Sequence, residues 1–480
     1  MGVLVMDIGT SAVRAAVVEP GGVVTHERYV ECLPDSPAAG LVEFDADAYA
    51  ETAIEAARAV LSEVGSVSGV GISTQRATCI VWDRATGRAV APAQGWQDLR
   101  TLGDCLVLAA DGLRFAPNQT ATKARNILDA VDPDRTRDLC VGTPDAWLVW
   151  KLTEGRVHAT DATNAAVTGM AAIPALVWDQ RVLDALRIPL GSLPTIVDST
   201  GFIGDASALP GAPPIMGLAG DQQASLIGQG GVRPGDAKIT FGTGGMADVC
   251  LGTTPPMAAV RARHGTFPIV CWQRAGVTMW GIESIMLSAG TNVQWLRDEM
   301  GLIATSEESA AIASQCETTD GVIYVPAQLG LGTPQWDYGA RSGLFGVTRG
   351  TGRAEIVRAV LEGVAHRGAD LVEAAEADAG ISIDALRIDG GMSENPVFCQ
   401  ALANASGHRV EVAPHKEATA AGAAALAELA LGTYTDWDEV AGTWTPSRVV
   451  EPTGPLDRAQ WKRAVERAGH WYEDLSALDF

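Results

Sequence analysis

Positive charge is what this chain has too little of: 35 Lys and Arg stand against 58 Asp and Glu, a formal charge of −23 at pH 7. Binding a phosphate backbone requires a basic footprint that would have to assemble against this net field, and the same deficit disfavours docking on anionic lipid. Neither a nucleic-acid partner nor a membrane is therefore expected. Long apolar runs are missing too. Nowhere do eighteen apolar residues follow one another, Glu428 interrupts the Ala-rich tract near the C-terminus, and Asp7 sits in the first twenty residues with no basic stretch ahead of an apolar one. A soluble, cytoplasmic protein is expected. The eight cysteines contain no Cys-x-x-Cys pair and no nearby His at ligand spacing, which argues against a zinc framework and leaves reduced thiols. No Gly-Lys dipeptide occurs, so a Walker-type phosphate loop is excluded.

What is present is core material. With 47% hydrophobic residues, 13 Trp and a length of 480, the chain supports two or three domains and more than one core. Three strands are predicted at the start, Val3 to Ile8, Val13 to Glu19 and Val23 to Val30, with a Pro20-Gly21-Gly22 turn. A helix with Ile54, Ala57, Val60, Leu61 and Val64 on one side follows, capped by Asp45 or Asp47. Beyond a Gly- and Pro-rich stretch (GQGGVRPG, 228 to 235), a second strand and glycine turn begin at Ala237. A long helix from Ala354 to Ala379, a strand Leu386 to Ile388 and a helix opening at Asn395-Pro396 come later. Residues 1–230 and 231–480 are expected to form two domains, each opened by a strand-turn-strand glycine loop.

Five places carry candidate chemistry. Asp7-Ile8-Gly9-Thr10-Ser11, with Arg14 beyond, puts a carboxylate at a strand end before a turn whose amides and hydroxyls suit a magnesium-bound phosphate. Thr240-Phe241-Gly242-Thr243-Gly244-Gly245 formally fits a dinucleotide fingerprint through Ala247. That fingerprint requires a helix next, and Asp248-Val249-Cys250-Leu251 reads as strand, so a second phosphate-facing hairpin replaces it. Gly220-Asp221-Gln222-Gln223 offers a general base beside an amide, or alternatively a helix N-cap. Thr74-Gln75-Arg76 and Trp96-Gln97-Asp98-Leu99-Arg100 suit a hydroxylated substrate. Asp389-Gly390-Gly391 is a strand-to-helix turn that backbone-close ligands can approach.

The order of these motifs resembles the FGGY carbohydrate kinases, and within them the glycerol kinase branch, from Val3 to about Tyr434. The stretches GRVHATDATNA, GDQQASLIGQ, VQWLRDEM, GLGTPQWDYGARSGLFGVTRG and LRIDGGMSEN carry the likeness. The resemblance implies a two-lobed α/β fold of the actin-like, ribonuclease-H-like ATPase type with a central nucleotide cleft, using ATP and Mg²⁺ on a small polyol or sugar, and a homodimer. By residue it implies Asp221 as general base and Asp7 at the metal. Thr10, Ser11, Arg14, Thr243, Gly244, Gly290, Gln294, Gly391 and Asn395 fall around the nucleotide. Arg76, Trp96 and Gln222 match the glycerol-reading wall. Ala77, Asn118 and Met246 depart from it, where a Glu, a Tyr and a Phe are expected. Those smaller or more pliable side chains, with Asp98 as a replacement hydroxyl acceptor, imply a substrate of four or five carbons phosphorylated on a primary hydroxyl. The rival readings are a true glycerol kinase, a xylulokinase, and an actin-like ATPase serving as chaperone or filament.

Overall fold

The computed structural model describes residues 2–256, 260–414 and 417–478. The first half builds a six-stranded sheet from β1 (Val3–Ile8), β2 (Ala12–Glu19), β3 (Val23–Glu31), β4 (Val70–Thr74), β5 (Thr200–Asp205) and β6 (Pro214–Gly220), in the order β5-β6-β4-β1-β2-β3. The second half builds a seven-stranded sheet from β7 (Ala237–Phe241), β8 (Gly245–Gly252), β9 (Phe267–Arg274), β10 (Val277–Met286), β11 (Ala385–Asp389), β12 (Arg409–Val412) and β13 (Arg448–Val450), in the order β9-β10-β8-β7-β11-β12-β13. Read from β3 to β5, the pairings run antiparallel, antiparallel, parallel, parallel, antiparallel. From β10 to β13 the same series recurs. The duplicated pattern expected from the two glycine loops is thus present in the strand pairings, with β9 as an added edge.

β1 reads as a continuous apolar run because it is covered on both faces. Leu4 and Met6 face a core that includes Ala53, Ala57, Val60 and Leu61 of α1 (Ala46–Val64). The alternate residues Val3 and Val5 pack with Ala420, Ala423, Ala424 and Ala427. Of the two N-cap candidates for α1, Asp45 serves, accepting from the Ala48 amide at 3.0 Å. The second sheet packs on a long helix, Arg353–Ala379, through Val357, Val360, Val364 and Leu371.

Chain order does not fully separate the lobes. The alanines on the back of β1 belong to a late helix, Ala418–Leu431, which crosses the helix Asp221–Gly228 that follows β6. The crossing is backbone-close. A Cβ at Gly422 would overlap the Ala224 carbonyl, and one at Gly228 the Ala418 carbonyl. No helix among the described residues is long and apolar enough to cross a membrane.

Candidate functional site

Strand register brings the site together. Ile8 pairs with Thr74 and Thr74 with Gly220, so β1, β4 and β6 end side by side. Their continuations, Gly9-Thr10, Gln75-Arg76 and Asp221-Gln222, therefore emerge at one edge, where parallel sheets place their ligands. In the second lobe Thr240 pairs with Asp389, which sets the Gly242-Thr243-Gly244 loop beside the Gly390-Gly391 turn. A side chain links the two edges: Ser225 Oγ, one turn beyond Asp221, donates to Asp389 Oδ2 at 2.9 Å.

Asp221 is the first residue of its helix, and Gly220 occupies the N-cap, so the N-cap alternative for Asp221 falls. Its Oδ1 accepts from the Gln222 amide at 2.8 Å. Burial raises its pKa above the usual aspartate value, and the Arg76 charge works against that rise. The turn is held from behind: the Gly220 amide donates to Thr163 Oγ1 at 2.9 Å, and Thr163 in turn donates to Asp161 at 2.9 Å. Thr163→Val leaves that buried amide without an acceptor. We expect kcat to fall about tenfold with the fold retained and Thr163→Ser to restore it, by the usual cost of one orphaned buried group.

Asp7 Oδ1 accepts from Ser73 Oγ at 2.6 Å. Burial pushes Asp7 up to about 6, with the Asp221 charge adding to the rise, while the Ser73 hydroxyl and the Arg14 charge oppose it. A carboxylate disfavoured in this way is one that a bound cation would stabilise, so the residue fits a magnesium role. The Gly9 carbonyl accepts from the Tyr49 hydroxyl, and Trp96 Nε1 donates to Thr10 Oγ1 at 2.9 Å. The first loop and the Trp96 loop are thereby tied together. Ser11 is exposed at the turn. Arg14 lies opposite Asp7 on β2 but is engaged by Glu27 at 2.8 Å and by Glu417, so it reaches a phosphate only by exchanging a partner.

In the second loop the Thr243 carbonyl accepts from the Ala289 amide at 2.9 Å, and the Gly290 amide donates to Gly242 at 2.8 Å. A side chain at Gly290 would press on the Gly242 carbonyl. A Cβ on Gly391 would meet nothing, and Gln294 is exposed on the helix Thr291–Asp298. Asn395 behaves differently from a free ligand-reading amide. Its oxygen caps the helix Pro396–Ser406 through the Val397 and Phe398 amides, and its nitrogen donates to Ser309 Oγ at 3.0 Å.

On the substrate side, Arg76 lies with its stem over Gly220, where a Cβ would meet Arg76 Cδ at 2.6 Å. Its Nε is 3.6 Å from Asp221 Oδ1. Asn118 is exposed, its carbonyl accepting from Lys123 Nζ at 2.8 Å, and Met246 Sδ lies 3.8 Å from Arg76 Nη2. Asp98 is the exception. It is fully buried, and Arg100, with the Val42 amide at 2.7 Å, occupies both of its oxygens. Those bonds hold its pKa below the usual range despite burial. The replacement acceptor expected at Asp98 is thus a structural carboxylate that pins the Trp96 loop to Val42.

The carboxylate facing Arg76 instead comes from the second lobe. Glu283 on β10 accepts from Arg76 Nη2 at 2.6 Å. Opposite it on β8 stands Asp248, which pairs with Lys238 of β7 at 3.0 Å, and Lys238 reaches Gln222 Oε1 at 2.6 Å. Sequence reasoning passed over Glu283, Asp248 and Lys238. The available signal was a single charge set into each of three otherwise apolar strands, where burial without a partner is prohibitive.

The chain is similar to known proteins along its length. A model described as the FGGY family of carbohydrate kinases, N-terminal domain, matches residues 2–228, and its C-terminal counterpart matches 237–431. A glycerol kinase of Aromatoleum aromaticum is 39% identical over 98% of this chain and 99% of its own, and one of Dechloromonas aromatica is 39% identical over 98% of each. The crystal structure of Plasmodium falciparum glycerol kinase with ADP superposes with a TM-score of 0.91 at 27% identity, covering 97% of this chain and 98% of that one. A xyloylose kinase from Brucella ovis gives 0.85 at 25% over the full length of both.

Proposed function

The chain belongs to the FGGY family of carbohydrate kinases and is an ATP-dependent kinase of a small sugar or polyol; we propose that its acceptor is a tetritol, a pentitol or a ketopentose, phosphorylated on a primary hydroxyl. The observation that carries this reading is the wall around Arg76. Ala77 brings no carboxylate there, Asn118 is exposed where a Tyr would close the pocket, and the flexible Met246 takes the place of a ring. In this proposal the smaller and more pliable side chains accommodate carbons beyond the three of glycerol.

In this proposal Asp221 takes the proton of the attacking hydroxyl while Gln222, Arg76 and Trp96 orient the acceptor. The backbone and hydroxyls of Thr10, Ser11, Thr243 and Gly244 would receive the phosphates of ATP, with Gly290, Gln294, Gly391 and the Asn395-capped helix around the adenosine. Asp7 would hold Mg²⁺, which when bound neutralises charge developing on the transferring phosphoryl group. Phosphoryl transfer asks little covalent help of a protein, so in-line placement and exclusion of water are what the two lobes contribute. The first lobe, 1–230, carries the base and most of the acceptor wall, and the second, 231–480, carries Met246 and the adenosine side. A cytoplasmic homodimer completes the proposal.

Glycerol itself is the second reading, favoured by the relatives above. An ADP-release assay over glycerol, tetritols, pentitols and ketoses separates them. We expect kcat/KM for at least one four- or five-carbon compound to exceed that for glycerol roughly tenfold, the discrimination one or two pocket contacts give. A preference for glycerol over every such compound contradicts the proposal.

A further inference from the structure

We propose that Glu283 is a positioning residue for the acceptor: from the second lobe it holds the Arg76 guanidinium away from Asp221, leaving Arg76 Nη1 free to donate to an acceptor hydroxyl. The inference rests on the kinase reading above and adds a residue from the opposite lobe to the acceptor wall.

Arg76 has three nitrogens to satisfy in a buried place. Nη2 is taken by Glu283 at 2.6 Å and touches Met246. Nε stands 3.6 Å from Asp221 Oδ1, too long for a good hydrogen bond. Nη1 is buried and has no partner. A buried, unbonded guanidinium nitrogen beside the candidate base is a donor held open for an oxygen that arrives with a ligand. With Glu283 gone, the nearest carboxylate is Asp221. Arg76 would then swing onto it, and a fork-to-fork pair of that kind would occupy the base and consume the free donor.

The charges around this contact explain why the arrangement tolerates burial. Arg76 and Lys238 stand among Asp221, Asp248 and Glu283, one negative charge in excess. Burial and the facing Asp248 push Glu283 up to about 7, while the Arg76 charge opposes the rise. Gln matches Glu in shape but carries no charge, so Glu283→Gln is expected to fold and to hold Arg76 more weakly. Because Arg76 extends from β4 and Glu283 from β10, the donor is aimed only while the lobes stand together.

The test uses the full-length enzyme with its best acceptor. Glu283→Gln is expected to raise the KM for the acceptor about tenfold and leave the KM for MgATP within about twofold, the mark of a contact serving one substrate. In an Arg76→Ala background the same substitution is expected to add no more than about twofold, since two residues acting as a unit are not additive. Glu283→Asp, which keeps the charge and withdraws it by one methylene, gives the same split at smaller size and serves as the test if the Gln variant does not fold. An unchanged acceptor KM in a folded variant overturns the proposal, as does an equal rise for both substrates or a full tenfold effect without Arg76. A wild-type enzyme with no acceptor-dependent turnover overturns the kinase reading and this proposal with it.

Discussion

Asp221→Asn lowers kcat by at least about 10²-fold at neutral pH, the usual worth of a positioned general base, while the folded structure and nucleotide binding persist. Asn keeps the shape at the first position of the helix Asp221–Gly228 but loses the negative charge and the capacity to accept a proton. The neighbours support this division. Gly220, which sets the backbone angle, is anchored through its own amide on Thr163 and is independent of the Asp221 side chain. The pH dependence follows from the sign of the shift. Burial raises Asp221 above the ordinary aspartate value, near 3.9. A base must be deprotonated, so activity falls as pH drops through that raised pKa, and the acid limb of kcat/KM lies above 3.9. Asp221→Asn removes the limb together with the activity. A chaperone or filament built on the same ATPase fold would keep its binding function in this variant.

The second large effect concerns stability. Gly422→Val destabilises the protein by about 3 kcal/mol or more, because overpacking against backbone cannot be relieved by a rotamer change. The obstacle is the Ala224 carbonyl on the crossing helix, and Gly228 meets Ala418 reciprocally. Urea denaturation checks this, and Gly391→Ala is the control: a Cβ there meets nothing, so its unfolding free energy stays within about 0.5 kcal/mol of wild type, as for other surface changes. Since Gly228→Ala strains the same crossing, the Gly228 and Gly422 substitutions together cost less than the sum of the two alone.

Local signals in the sequence carry the parts of this molecule that depend on local structure. The predicted helix 354 to 379 is the helix Arg353–Ala379, and the predicted FGTGG hairpin joins β7 to β8. Periodicity and turn chemistry decide such elements within a few residues of themselves. Glu283 is of another kind. Its role depends on facing Asp248 across a strand pair and Arg76 across the cleft, 207 positions away in the chain. No spacing rule reaches that far. Asp98 shows the converse: as a residue type it suits hydroxyl reading, but Arg100 and the Val42 amide already claim its oxygens. The late helix Ala418–Leu431 forms from the Ala-rich tract, but its packing on the first sheet is a property of topology, set by the alanines that face β1 and by Gly422, which lets it cross the helix Asp221–Gly228.

The most direct test of the account is to follow ATP labelled in its γ-phosphate with and without the preferred acceptor and to identify where the label goes. The account predicts ADP formation that depends on the acceptor, one phosphomonoester on a primary carbon for each ADP, and loss of both in Asp221→Asn. ADP released at the same rate with no acceptor, or label recovered only as inorganic phosphate, would contradict it.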